Sequence, residues 1–375
     1  MTSTVASASS GPSAGPLPSR PAIPSGDRST YPSDEGQTVL NGIAVDDTFA
    51  EAFPMKATRL IVTAHRIEWA RHAGVTATGF ATSVIACGCE AGIERELSPD
   101  ETPDGRPGVA LLLFAMSGKE LAKQLERRVG QCVLTCPTTA VYAGIDPGPS
   151  VSGYGDRPPE GAPPGLGRPG AGQGEAISLG KNLRFFGDGW QTSKVIGGRR
   201  YWRVPVMDGE FIAQETTAVV KGVGGGNLLL LARDTDAALD AAEAAVAAMR
   251  RVPDVVMPFP GGVVRSGSKV GSKYPALMAS TNDAFCPTLV GLAKKSELDE
   301  RIGCVMEIVI DGLTEAAVGE AMRVGMHAVI DRGADSGLLR ISAGNYGGKL
   351  GPFHFHLRRL LGAAPASAAA QGASA

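Results

Sequence analysis

Glu307 lies in the run CVMEIVI, residues 304–310, where every neighbour within three positions is apolar or a cysteine. In a strand, alternation puts it on the same face as Val305 and Val309. A carboxylate so placed is poorly solvated, and burial raises its pKa towards the range where it can take and return a proton. The competing reading is a glutamate at a strand edge or one held by a structural Lys or Arg, because carboxylates are seldom buried without a partner.

A second feature is the loop FPGGVVRSGSKVGSK, residues 259–273, in which Arg265, Lys269 and Lys273 are interleaved with four glycines and three serines, Ser268 among them. Glycine lets backbone N–H groups approach an anion closely, and basic side chains add charge. The combination suits a carboxylate- or phosphate-bearing coenzyme tail; the plainer alternative is an exposed loop. Just downstream, Ser280 and Asn282 in ASTNDAFCPT offer a hydroxyl and an amide that could donate to a developing oxyanion. No G-x-x-x-x-G-K-[ST] motif occurs, which argues against nucleotide triphosphate hydrolysis.

Other chemistry-bearing residues fall away. GVGGGN, residues 222–227, precedes a strand instead of opening a helix, the reverse of a dinucleotide fingerprint, and reads as a structural turn. Cys87 and Cys89, with Cys132 and Cys136, lack the paired C-x-x-C spacing of zinc sites. The histidines His65, His72, His327, His354 and His356 make no metal signature, so no metal is expected. Cys136 and Cys286 each sit beside a proline, but a nucleophilic thiol needs a base that the sequence does not supply, and both read as buried thiols.

The elements that must position these residues emerge from the whole chain. Its 375 residues carry 36 basic and 38 acidic side chains, a net charge of −2. That balance gives no electrostatic case for nucleic acid. No apolar run approaches the ~20 residues of a membrane span, and the first residues have neither the basic start nor the apolar stretch of a secretory signal. Six cysteines in so long a chain read as cytosolic thiols, which points to the cytoplasm. Residues 1–37 and 362–375 are rich in Ser, Pro, Gly and Ala and are expected to be disordered, while residues 146–176 read as a Pro/Gly-rich linker.

Between those segments the pattern alternates. RLIVTA (59–64) predicts a strand, 66–77 a helix, 81–86 a short strand and VALLLFA (109–115) a central strand. Ser117 and Glu120 have the spacing of a capping box, opening a helix with Leu121, Leu125 and Val129 on one stripe. Residues 131–135 are then expected to be the fourth strand. In the second half NLLLLA (227–232), a helix capped by Asp234 with Leu239, Ala242, Val246 and Met249 on one face, and a short strand at 262–265 repeat that order. CVMEIVI, a helix over 314–330 carrying Val318, Met322, Gly325 and Val329, and LLRIS (338–342) complete it. FHFHL, RRYWRVPV and EFIAQETTAVV are expected as additional strands, the last two a hairpin. Two β-α-β-β-α-β units imply an α+β fold of two ferredoxin-like lobes in tandem, residues 38–145 and 177–361.

Longer stretches carry a resemblance. NGIAVDDTFAEAF, ATGFATSVI, EAGIE, ETPDGRPGV, GQCVLTCPT and FFGDG in the first half resemble the formylmethanofuran:tetrahydromethanopterin formyltransferase family. So do PFPGGVV, SKVGSK, ASTNDAFCPT, EIVIDGL, EAMRVG and ISAGNYGGKLG in the second. They span about residues 41–360. The resemblance implies two ferredoxin-like lobes, a homotetramer and no bound cofactor or metal. It implies formyl transfer between the amine of methanofuran and N5 of tetrahydromethanopterin, with the family's glutamate falling on Glu307 and the coenzymes in a cleft near its strand. The N-terminal extension and the linker depart from the compact archaeal form and suggest a bacterial member. Such members work with a metal-dependent hydrolase, with flux towards formate. The rival expectations are a non-catalytic assembly subunit that presents a carrier, and a Cys-dependent deformylase.

Overall fold

The computed structural model describes residues 38–148 and 174–362. The expected disordered extension (1–37), most of the expected linker and the tail from 363 onwards lie outside the described residues.

The chain opens with a hairpin, β1 (Thr38–Leu40) and β2 (Ile43–Val45), and a long strand β3 (Phe49–Thr63). Then follow α1 (Ile67–Thr78), β4 (Thr82–Ser83), the single turn α2 (Val84–Cys87), β5 (Cys89–Leu97) and β6 (Gly108–Ala115). α3 (Gly118–Arg128) and β7 (Ala140–Ala143) end this half. β8 (Glu175–Ser178), β9 (Thr192–Ile196), β10 (Arg199–Val206) and β11 (Gly209–Gln214) lead to the second long strand, β12 (Thr216–Ala232). α4 (Thr235–Met249), β13 (Val255–Val256), β14 (Lys269–Val270) and β15 (Ala279–Ser280) come next. β16 (Cys304–Gly312), α5 (Glu315–Ile330), β17 (Leu338–Ser342), β18 (Phe353–His356) and α6 (Leu357–Gly362) complete the described chain.

Two long strands organise a mixed α/β fold around one large sheet. The C-terminal part of β3 pairs antiparallel with β6 on one side and β7 on the other, and β6 pairs with β5, giving the order β7-β3-β6-β5. The C-terminal part of β12 does the same with β16 and β17, and β16 pairs with β13, giving β17-β12-β16-β13. The N-terminal parts of β3 and β12 then pair with each other, Phe53 to Ala57 against Gly224 to Val220, and join the two halves. The edges are exchanged: β2 runs parallel to β17 in the second half, and β11 runs parallel to β7 in the first. Ile177, Leu179, Val204, Phe211 and Ala213 all pack into the first-half core.

Local sequence accounts for the helices. Ser117, Asp234 and Thr314 each accept a backbone N–H three residues on, so α3, α4 and α5 begin where a side chain satisfies an orphan donor. Leu121, Leu125 and Val129 are buried as one stripe. Ala238, Ala241, Ala242 and Ala245 form the core face of α4 with Val246 and Met249, and Gly325 of α5 makes room for Met249, whose Cε a Cβ there would meet at 2.1 Å. Leu239, expected on that face, is turned outwards instead. Alanine spacing, not leucine, marks the packed stripe.

Four further expectations are corrected by tertiary pairing. Residues 131–135 are not a strand; Val129–Val133 form a π-helical turn that continues the buried stripe of α3, and the fourth strand is β7. The strand expected at 81–86 shrinks to β4, and β5 takes the place beside β6 with β4 paired outside it. The strand expected at 262–265 is a single bridge between Val264 and Glu307, the ladder beside β16 being made by β13. GVGGGN is no turn. It lies inside β12 where the halves meet, with a bulge between Val223 and Gly226. A Cβ at Gly224 would lie 2.1 Å from Met55 Sδ, and Gly225 has φ +89, so close approach and backbone twist both call for glycine there.

Candidate active site

The second-half sheet has two unlike faces. Ile308 and Ile310 point into the apolar core beneath α4 and α5. Glu307, Val309 and Asp311 therefore point the other way, and cross-strand register sets Leu229 beside Glu307 and Asn227 beside Val309. Ser342 and Arg340 of β17 lie on that same face, opposite Leu229 and Leu231. Asn227, Glu307, Asp311, Arg340 and Ser342 are all buried there beside the apolar cluster of Leu229, Leu231, Leu298 and Ile302, so this face mixes polar and apolar groups, unlike the apolar one behind it.

Glu307 is 7% exposed, and no hydrogen bond or ion pair reaches its carboxylate among the described residues. Burial alone pushes its pKa up to about 7. That removes the edge-strand and ion-pair readings of this residue. Its main chain is bonded both ways to Val264, with N–H···O distances of 2.9 and 2.7 Å, so the glycine-rich loop leaves directly from beside it.

That loop forms a small ribbon, β14 against β15, with Lys269 opposite Ser280. The ribbon sets Lys269 opposite Ser280 and Asn282 against Gly267, with Arg265, Ser268 and Lys273 along the same loop, but not all of these residues are free to hold a ligand. Lys269 pairs with Asp283 at 2.5 Å and holds that carboxyl below its usual range. Ser280 Oγ donates to the carbonyl of Gly271 at 2.9 Å and so closes the ribbon. The Ser268 carbonyl accepts the Tyr346 hydroxyl at 3.1 Å. Asn282 uses its backbone carbonyl to end a short turn, accepting from Phe285 N–H. Arg265 and Lys273 make no ion pair among the described residues, which leaves them as the available cations of the loop.

Three features of the site escaped the sequence. Glu51, from the start of β3, accepts backbone N–H groups of Tyr346, Gly348, Leu350 and Gly351. Burial would raise its pKa, but these bonds together outweigh that and lower it. Asp311 of one half meets Glu90 of the other. Burial and then the neighbouring carboxylate raise Asp311 well above its usual range, and burial raises Glu90, so the two carboxyls titrate as a pair and resist carrying charge together. Tyr346, half-buried in the segment 345–351, feels the charge of both Glu307 and Glu51. The only signal available beforehand was a charged residue amid small and apolar ones in FAEAF and EIVID.

The thiols are quiet. Burial pushes the Cys136 thiol up, and its Sγ lies 3.5 Å from the Trp69 carbonyl; Cys286 Sγ lies 3.3 Å from the Asn282 carbonyl. Among the described residues no three His, Cys, Asp or Glu side chains gather as a metal-holding group. His354 and His356 both rest on the ring of Phe49, at 4.6 and 5.0 Å.

The fold and this arrangement have known counterparts. The family model "FTR, proximal lobe" matches residues 209–360, and the model "Formylmethanofuran-tetrahydromethanopterin formyltransferase" matches residues 38–156 and 168–206. The formylmethanofuran–tetrahydromethanopterin formyltransferase of Methylococcus capsulatus is 63% identical over 323 residues, 86% of this chain and 99% of that protein. A component of the formyltransferase/hydrolase complex of Methylorubrum extorquens is 52% identical over 328 residues, 86% of this chain and 97% of that one. The X-ray structure of that organism's formyltransferase/hydrolase complex with methylofuran matches at a TM-score of 0.78 with 51% identity, covering 87% of this chain and 99% of the solved one. The Methanosarcina barkeri formylmethanofuran:tetrahydromethanopterin formyltransferase matches at 0.73 with 42% identity, covering 86% and 100%. The chain belongs to the formylmethanofuran–tetrahydromethanopterin formyltransferase family, a family of acyltransferases.

Proposed function

We propose that this chain passes a formyl group between the amine of methanofuran and N5 of tetrahydromethanopterin, with Glu307 as the proton-transfer group. The observation that carries this reading is the unpaired Glu307 carboxyl, buried on the mixed face of β16 with a pKa near 7, in a chain of this family. Exchange of a formyl group between two amines passes through a tetrahedral intermediate. The attacking amine must lose a proton and the leaving amine must gain one. A single carboxyl poised near neutrality serves both steps in turn. Asn282 is the remaining side-chain amide for the oxyanion, since the Ser280 hydroxyl is already committed to Gly271. Arg265 and Lys273 hold the acidic tail of a carrier.

Each half has the strand order of a ferredoxin-like unit, which supports two lobes; the edge exchange argues for a boundary near residue 215 in place of 177, because segment 175–214 packs on the first half. The chain works in the cytoplasm as a homotetramer and beside a metal-dependent hydrolase, with flux towards formate. The Methylorubrum extorquens relative, a component of a formyltransferase/hydrolase complex, supports that placement. No cofactor is held between turnovers.

Formyl exchange between the two carriers by the purified chain alone tests the function. Turnover is expected without any hydrolase present, and its absence would favour the assembly-subunit reading. Cys136→Ala and Cys286→Ala should each keep turnover within roughly tenfold, because losing a true nucleophile costs several orders of magnitude. A formyl thioester trapped on either residue would support the deformylase reading instead. Arg265→Ala and Lys273→Ala should raise KM for a carrier several-fold at low salt and less at high salt, since screening weakens charge attraction. If KM is unmoved in both, the anion site is elsewhere.

A further inference from the structure

The Glu51 carboxylate is fully buried, at the start of β3 between Ala50 and Ala52 of the second-half core, and it meets a segment almost 300 residues away in sequence. Burying a charge is costly unless hydrogen bonds replace its water. Here four backbone N–H groups do so, from Tyr346 at 2.9 Å, Gly348 at 3.0 Å, Leu350, and Gly351 at 3.2 Å. Gly347 and Gly348 adopt φ +77 and +71, which bends the segment NYGGKLG so that its N–H groups converge on one point. This is an anion nest filled by the protein's own side chain.

The pinned segment carries Tyr346. Its hydroxyl donates to the carbonyl of Ser268, in the glycine-rich loop that starts beside Glu307. Two loops therefore meet over the Glu307 face, latched by Tyr346 and anchored at one end by Glu51. The other charged groups on that face are turned elsewhere: Arg340 to Asp46 and the Glu297 carbonyl, Asp311 to Glu90 and Gly225 N–H. No cation among the described residues pairs with Glu307, and burial away from water is the one cause that raises its pKa.

We infer that Glu51 is a positioning residue for formyl transfer, anchoring the 345–351 segment so that Tyr346 and its loop partner shield Glu307 from water. This rests on the reading of Glu307 as the proton-transfer group. With the anchor weakened, the segment opens, water reaches Glu307, and its titration moves towards that of an ordinary carboxyl. Glu51 is buried and bonded to backbone N–H groups, so it acts through the segment it holds.

The test uses the full-length chain with Glu51→Gln, whose amide NH2 faces some of the four donors it should accept. Hydrogen exchange of the amides of residues 346–351 should quicken by roughly tenfold or more, as expected when a local closed state is weakened. The limb of the kcat–pH profile assigned to Glu307 should move by about one unit to lower pH, with KM changed less than kcat. Glu51→Asp, keeping the charge on a shorter stem, should lie between Gln and wild type. Tyr346→Phe removes only the latch and should move the limb in the same direction; it serves as the test if Glu51→Gln does not fold. An unchanged exchange rate would overturn the anchoring, and quickened exchange with an unmoved limb would reduce Glu51 to a structural role. A wild-type limb retained in Glu307→Gln would instead sink the Glu307 reading, while the exchange data would still report on Glu51.

Discussion

Glu307→Gln should lower kcat for formyl exchange by ~10²–10⁴, the usual scale for losing a general acid–base, while the fold and both carrier affinities survive. Gln fills the same volume and hydrogen-bonds similarly but cannot shuttle a proton. The limb of the pH–rate profile near pH 7 should disappear with it, because that limb reports the raised carboxyl. Stability gives an independent check with a definite sign. The folded state holds the Glu307 proton more tightly than the unfolded chain, so its contribution is present at low pH and lost as pH rises through about 7. Glu307→Gln should therefore match wild type near pH 4 in denaturant unfolding and exceed it above pH 8, by up to ~3 kcal/mol. A folded variant turning over at near wild-type rate would take Glu307 out of the mechanism. A variant less stable at every pH would mean that the carboxylate is held by a structural partner.

Arg59→Ala should cost ~3–5 kcal/mol of stability, the scale for stripping one partner from a buried ion pair. Arg59 Nε and Nη2 make a bidentate contact with Glu94 at 2.7 and 2.8 Å, and Nη2 also reaches Asp254 of the other half at 2.5 Å. The side chains of Arg59 and Glu94 are 5% and 4% exposed, so without the guanidinium Glu94 is left buried and uncompensated beside Asp254, which is 30% exposed. The loss should appear in urea unfolding and diminish at acid pH, where the carboxyls can protonate. Arg59→Met combined with Glu94→Leu should recover much of it, since replacing a whole buried pair by apolar groups is often neutral. If Arg59→Ala costs less than ~1 kcal/mol, water enters the site and the network does not hold the halves together.

Much of the second-half site was legible because it is local. Glu307 announces itself as one charge in an apolar strand, a pattern that period-2 alternation turns into a buried carboxyl. The residues of the basic loop are also near neighbours in sequence, so their meeting in one ribbon needs no long-range pairing. What was not legible is which of them remain available. Lys269 and Ser280 have the right chemistry, but Asp283 and the Gly271 carbonyl take them, and those bonds exist only once the ribbon closes.

The errors in the fold have the same origin. Leu239 reads as core by hydrophobicity, yet α4 turns its alanines, Val246 and Met249 to the core and leaves Leu239 on the outer side. GVGGGN reads as a turn by composition, yet it continues a strand because β3 crosses there and leaves no room for side chains. By itself the sequence determined the alternation of strands and helices, the helix starts at Ser117, Asp234 and Thr314, the family and the buried carboxyl at Glu307. Only the tertiary structure decided the edge exchange between halves, the meeting of Glu90 with Asp311, and the contact of Glu51 with 345–351. Each of these joins residues far apart in the chain, and cross-strand register and exclusion of water, which create them, leave no periodic trace in the sequence.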